Sequence, residues 1–259
     1  MVEAVTISVT SCYEGLEAQT INISGGEIDI VASDDGVNAA GGNDSSSTAN
    51  EFGKRDMFDT DKDASITISG GVLRVSAEGD GLDSNGYLTI SGGETYITGP
   101  TNSGNGSLDY GIEAVIQGGI FIAAGASGMA ENFGDASTQG CILVTTDRQD
   151  AGSSIALSDA SGSSLITWVS DKAYDCVLIS LPEIKEGSSY TLQAGNFSQE
   201  ITMDTLLYGT GSGMGFGGGR GGKKEMDRDK FDPNQIPDDN RRPGGNPGMK
   251  RKDGGRNIN

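Results

Sequence analysis

Five short segments gather the side chains best suited to holding an ion. They are Glu14-Gly15-Leu16-Glu17, Asp34-Asp35-Gly36-Val37-Asn38, Asp80-Gly81-Leu82-Asp83, Asn105-Gly106-Ser107-Leu108-Asp109 and Gly128-Met129-Ala130. Aligned on Gly15, Gly36, Gly81, Ser107 and Gly128, the segments recur at steps of 21, 45, 26 and 21. This is one period near 21 with two insertions, a large one from about Gly41 to Asp63 and a small one from Pro100 to Gly104. If the units stack in register, equivalent residues lie about 4.8 Å apart. Glu14, Asp35 and Asp80 then share one column, and Glu17, Asn38, Asp83 and Asp109 a second beside it. Two carboxylates at about 5 Å repel by roughly 3 kcal/mol at an effective dielectric of 20. With no histidine anywhere and only 7 Lys and Arg in residues 1–208, the compensating charge is expected to be an ion. Oxygen-only donors on glycine corners favour Ca²⁺ over Zn²⁺. Asx-turns at solvated corners are the alternative reading of the same acids. The inserted segment adds the alternating acids Asp59, Asp61 and Asp63, but Ala64 and Gly70 stand where an EF-hand loop needs Gly and Glu.

The chemistry is bounded as sharply by what is missing. Without histidine, Ser-His-Asp and Cys-His nucleophiles are excluded. A polysaccharide lyase would need a cationic side chain beside the metal, and Arg74 is the one basic residue on the repeat strands, away from the corners. No catalytic residue is therefore assigned. Polar side chains do recur at the spacing of the repeat: Asn22, Thr67 and Thr89 form one stripe, with Ser24, Ser69 and Ser91 beside it, and Asp29, Arg74 and Tyr96 form a second stripe. Such ladders suit a repeating sugar chain, and an ordinary solvated β-face is the competing reading.

These residues need strands to position them. Ile-Ser-Gly-Gly or a variant occurs at Ile23–Gly26, Ile68–Gly71, Ile90–Gly93 and Ile116–Gly119. At the first three, apolar and polar residues alternate with period two, as in Ile21/Ile23 against Asn22/Ser24. A 21-residue unit of two short strands cannot bury its apolar face alone, but stacked units bury a continuous column. The expected fold is all-β: a right-handed parallel β-helix of about five rungs over residues 1–137, interrupted by an insertion loop at 41–63. Residues 138–208 read as an antiparallel β cap that covers the open end, with Trp168 in its core. Residues 209–259, rich in Gly, Pro and basic residues, read as a disordered tail.

The net charge of −19 hides a split: residues 1–208 carry 7 Lys and Arg against 30 Asp and Glu, residues 209–259 carry 11 against 7. An acidic body of this kind repels nucleic acid and anionic membrane. No window is apolar enough to span a bilayer, so membrane insertion is not expected. The chain starts without a signal peptide and already in strand, as a truncated chain would. Cys12, Cys141 and Cys176 are odd in number and lack metal-type spacing, so they read as buried small hydrophobes.

The order of the segments Cys12-Tyr13-Glu14-Gly15, SDDGVNAAGG, GDGLDSNG and GPTNSGNGSLDY resembles the C-terminal part of a clostridial carbohydrate-binding family, over roughly residues 5–208. The resemblance implies a pectate-lyase-like, right-handed parallel β-helix with calcium along it, associated with cellulose and pectic polymers at the cell surface. Carried over by motif, Asp34, Asp35, Asn38, Asp80, Asp83, Asn105 and Asp109 become the implied calcium positions. The chain departs from that family by lacking a leader and N-terminal rungs. The resulting expectation is calcium-dependent, non-catalytic binding of cellulose, pectate or another acidic glycan, extracellular or at the cell surface. A polysaccharide lyase and a purely structural, calcium-stapled surface protein are the alternatives.

Overall fold

The computed structural model describes residues 5–40 and 60–211. Sixteen strands and no helix occur among them: β1 (Thr6–Cys12), β2 (Leu16–Glu17), β3 (Thr20–Ala32), β4 (Val37–Ala39), β5 (Ser65–Ala77), β6 (Leu82–Ser84), β7 (Tyr87–Thr98), β8 (Leu108–Tyr110), β9 (Glu113–Gly125), β10 (Cys141–Gln149), β11 (Ser154–Asp159), β12 (Ser164–Val169), β13 (Tyr174–Ser180), β14 (Ser189–Ala194), β15 (Phe197–Thr202) and β16 (Leu207–Tyr208). Accordingly, no helix among the described residues is long and apolar enough to cross a membrane.

The chain alternates between two parallel arrays. The long strands β1, β3, β5, β7 and β9 pair in that order, while β2, β4, β6 and β8 pair in a second sheet. Register stacks like on like, because any slip by one residue would turn the apolar set toward water. Ile23, Ile68, Ile90 and Ile116 are partners along one row, and Leu16, Val37, Leu82 and Leu108 along another. Apart from Leu16, which is only partly buried, these side chains are almost completely buried in one core. Each contributes about 1.5–3 kcal/mol of burial.

The Gly-Gly pair in each of β3, β5, β7 and β9 is where the strand bends. Its second glycine has φ of +87° at Gly26, +86° at Gly71, +81° at Gly93 and +90° at Gly119, a region where side chains are strained. A Cβ on Gly71 would also sit 2.7 Å from backbone atoms of both Gly25 and Gly26 on the neighbouring strand. The bend shifts the pairing, so Ser24 lies opposite Gly70 and Ser69 opposite Gly92. The expected Ser24/Ser69/Ser91 stripe is therefore not in register.

Beyond β9 the pairing direction reverses. β13 adds antiparallel to β9 and β10 antiparallel to β13, whereas β16 returns parallel to β10. A separate antiparallel sheet runs β12-β11-β14-β15. The described residues continue to 211, and the Gly209 carbonyl accepts a hydrogen bond from Asn132 Nδ2 at 2.9 Å. Residues 212–259 lie outside the described residues, as do 41–59 of the insertion. Of the insertion, Asp61 is tied down through its N–H to the Asn85 carbonyl at 2.8 Å. Cys141 and Cys176 are free and buried, their thiols pushed up to about 12 chiefly by burial, and Cys12 is half-buried.

Candidate metal centre and polar groove

The short parallel sheet positions the acids. Its row Leu16, Val37, Leu82 and Leu108 packs against the core, so the alternate row, Glu17, Asn38, Asp83 and Asp109, stands in register on the other side. The corner just before each short strand supplies Asp35 and Asp80, which with Asp83 bring carboxylate oxygens within 4.8 Å of one another. Backbone donors fix their orientation: Asp35 Oδ1 accepts the Asp80 N–H at 2.7 Å, and Asp80 Oδ1 accepts the Gly106 N–H. Gly79 leaves the room they need, because a Cβ there would lie 2.3 Å from Asp35 Oδ1 and 2.6 Å from Asp34 Oδ1.

Asn38 is 7% exposed and donates Nδ2 to Glu14 Oε2 and Asp35 Oδ2, each at 3.3 Å. Its Oδ1 is buried without a hydrogen-bond partner among the described residues. An orphaned amide oxygen at that depth costs about 1–3 kcal/mol unless something positive meets it. The carboxylates have the same need. Burial pushes Asp35 up to about 6, with repulsion from Asp34 and Asp109 adding to it. Burial raises Asp80 to about 9, reinforced by Asp83, Asp109 and Asp35. Asp83 is held well above the usual carboxylate range, first by burial and then by Asp109, Asp35 and Glu14, and burial raises Asp109 as well. The ion pairs among the described residues involve Arg74 with Glu27 and Asp29, and Lys172 with Glu78, none of them these four acids. An all-oxygen donor set that no Lys or Arg among the described residues pairs with, and that has a buried oxygen to spare, fits a hard divalent ion.

The expected ligands divide. Asp35, Asn38, Asp80 and Asp83 converge, with Glu14 hydrogen-bonded to Asn38 and Asp109 next in the row. Glu17 is in the row but exposed at its open edge. Asp34 and Asn105 fall outside the convergent three, and both occupy the position that Gly79 fills in the intervening unit. The Asn105 amide is instead directed at the Glu78 carbonyl, 3.4 Å away. Sequence reading missed Glu131, raised to about 7 by burial and by Asp109, with Oε2 buried and without a hydrogen-bond partner among the described residues. The period placed Ala130 in the row and hid the acid one residue later.

The six residues expected to meet sugar also divide, across the Gly-Gly bend. Asn22, Thr67 and Thr89 are register partners on one side of it. On the other side Ser8, Asp29, Arg74 and Tyr96 are partners. The second set lines a groove of about 310 Å³, which also takes Thr98 from β7 and Trp168 and Asp171 from the cap. Arg74 Nη1 donates to Glu27 Oε1 at 2.7 Å and to Asp29 Oδ1 at 3.2 Å. The Tyr96 hydroxyl donates to Glu94 Oε2 at 2.8 Å. The Tyr96 and Trp168 rings lie 6.2 Å apart, tilted by 34°. Trp168 is thus not an interior residue of the cap as expected from sequence: it is half-buried, packed on the cap core along one side and facing the groove along another. No local pattern could have announced this, because β7 and β12 are brought together only by the fold.

Compared with known proteins, the chain matches no family model, no curated protein and no solved structure.

Proposed function

We propose that the two parallel arrays are faces of a right-handed parallel β-helix that is stapled by calcium and binds polysaccharide without cleaving it, outside the cell or at its surface. The observation that carries this reading is the acidic row itself: Asp35, Asp80 and Asp83 converge beside a buried Asn38 oxygen that has no hydrogen-bond partner among the described residues. Asp35, Asp80, Asp83 and Asn38 would hold the ion, with Asp109 and Glu14 close by. Calcium would supply positive charge that lets neighbouring units approach with their acids ionised. The burial of Asn38 favours a staple over a metal presented to a sugar. Binding rather than catalysis is supported by Arg74, whose contacts are to Glu27 and Asp29 and not to the acidic row. The order of corner motifs, which resembles the clostridial carbohydrate-binding family, points the same way.

The test is thermal unfolding of the full chain with EDTA and after add-back of calcium or magnesium, followed by pull-down on insoluble cellulose and on pectate. A calcium-selective rise in midpoint together with retention, and no unsaturated product absorbing in the ultraviolet, is the expected outcome. An unchanged midpoint would sink the calcium assignment, and unsaturated product would replace binding with lyase chemistry.

A further inference from the structure

The groove between the long-strand sheet and the cap offers chemistry independent of the acidic row, since none of the row's residues lines it. Its floor is built by β1, β3, β5 and β7, which place Ser8, Asp29, Arg74 and Tyr96 side by side. One wall comes from the cap, through Trp168 and Asp171. A volume of about 310 Å³ is at the low end for small-ligand pockets, which suits one or two sugar rings.

Charge decides which rings. The single cation lining the groove, Arg74, is already compensated twice, by Glu27 and by Asp29. Lys172, next to Asp171 in sequence, is turned away to Glu78 and to the Ala77 carbonyl at 2.6 Å. The Tyr96 hydroxyl spends its proton on Glu94. What remains for a ligand is mainly acceptor capacity, on Asp29 and Asp171. Among the described residues Asp171 is met only by a long 3.5 Å contact from the Thr98 hydroxyl. A carboxylated sugar would bring a negative charge against two carboxylates with no uncompensated cation among the described residues to receive it. A neutral sugar offers hydroxyl donors to those carboxylates and an apolar C–H face to the tilted aromatic pair.

Resting on the reading of this protein as a glycan binder, we infer that the Tyr96–Trp168 groove is the glycan site, that it takes uncharged pyranose residues rather than uronates, and that it does so without calcium at the contact. Trp168 and Tyr96 supply the platform for the ring face, and Asp29 and Asp171 accept its hydroxyl protons. Arg74 holds Asp29 in place from the adjacent strand.

Trp168 is the only tryptophan of the chain, so its emission reports on this groove alone. The experiment titrates the full chain with cellohexaose, xylohexaose and mannohexaose, and with hexagalacturonate and hexaglucosamine for comparison, in calcium and at an EDTA level that leaves the protein folded. At least one neutral hexamer is expected to shift Trp168 emission with the same affinity in both buffers. Calorimetry is expected to show a loss of about tenfold or more, equivalent to 1.4 kcal/mol, in Trp168→Ala and in Asp171→Asn. Asp171→Asn guards against misfolding of the tryptophan variant, and an unchanged melting midpoint checks both. Tighter binding of hexagalacturonate or hexaglucosamine than of every neutral hexamer overturns the assignment, and so does neutral binding that survives both substitutions. Hexagalacturonate binding that needs calcium would remove this groove inference while leaving polysaccharide binding intact. Failure of every glycan to bind would remove both.

Discussion

Replacing Asp80 by Asn separates a metal ligand from a structural acceptor. The substitution removes one of three convergent carboxylates but keeps an oxygen that can accept the Gly106 N–H. Two ionised carboxylates with oxygens within 4.8 Å of one another repel by about 3 kcal/mol or more at an effective dielectric of 20. Burial holds Asp80 at about 9, so in the metal-free protein at pH 7 it already carries a proton. Asn mimics that state, and the midpoint in EDTA should move by no more than the equivalent of about 1 kcal/mol. In calcium the outcome differs. At a free concentration one hundred times Kd, calcium stabilises the wild type by about 2.7 kcal/mol, or about 5–11 °C for a chain of this size. A hundredfold loss of affinity leaves the variant about 0.4 kcal/mol of that, about 1–2 °C. Differential scanning calorimetry at pH 7 with EDTA, calcium and magnesium measures all of these. A variant that keeps the full calcium-dependent rise refutes Asp80 as a ligand. A variant that loses several kcal/mol in EDTA shows that the carboxylate is needed for folding without metal.

Two further outcomes follow from the same geometry. Asp35 near 6 and Asp80 near 9 stand above an unfolded value of about 3.9, so the folded metal-free protein binds more protons than the unfolded chain. The contribution of these two acids to stability should be largest below about pH 4 and fall as pH rises, Asp35 accounting for about 3 kcal/mol lost between about pH 4 and 6 and Asp80 continuing the fall toward pH 9. Melting midpoints in EDTA that climb between pH 5 and 8 would contradict this, and calcium should flatten the alkaline fall. At the strand bends, Gly71→Ala adds a Cβ at φ +86° and 2.7 Å from neighbouring backbone and should cost at least about 2 kcal/mol. Gly25→Ala, with nothing within 4 Å, should change stability by less than about 0.5 kcal/mol; equal midpoints for the two variants would remove the bend as a stability determinant.

Much of the acidic row was legible because a period of 21 converts sequence position into spatial register. Once Val37, Leu82 and Leu108 are assigned to the core, period-two alternation puts Asn38, Asp83 and Asp109 opposite them. The 26-residue step and the 45-residue step did not disturb this, since an insertion at a corner leaves the flanking strands in phase. Legibility stopped where side chains stop repeating. Asp34 and Asn105 share a position yet do not join the convergent oxygens, and Glu131 reaches the row from one residue out of phase.

By itself, then, the sequence determined the all-β class, the two parallel arrays, the glycine bends and the columns of like residues, because each is a local pattern multiplied by stacking. Tertiary structure alone decided which acids are buried, which oxygen is left orphaned, and how the polar stripe acquires a wall. The cap has no period to extrapolate, and the meeting of Trp168 with Tyr96 depends on β13 reversing direction against β9. Burial and long-range contact are properties of the packed chain, and no spacing along the sequence encodes the distance between residues 72 positions apart.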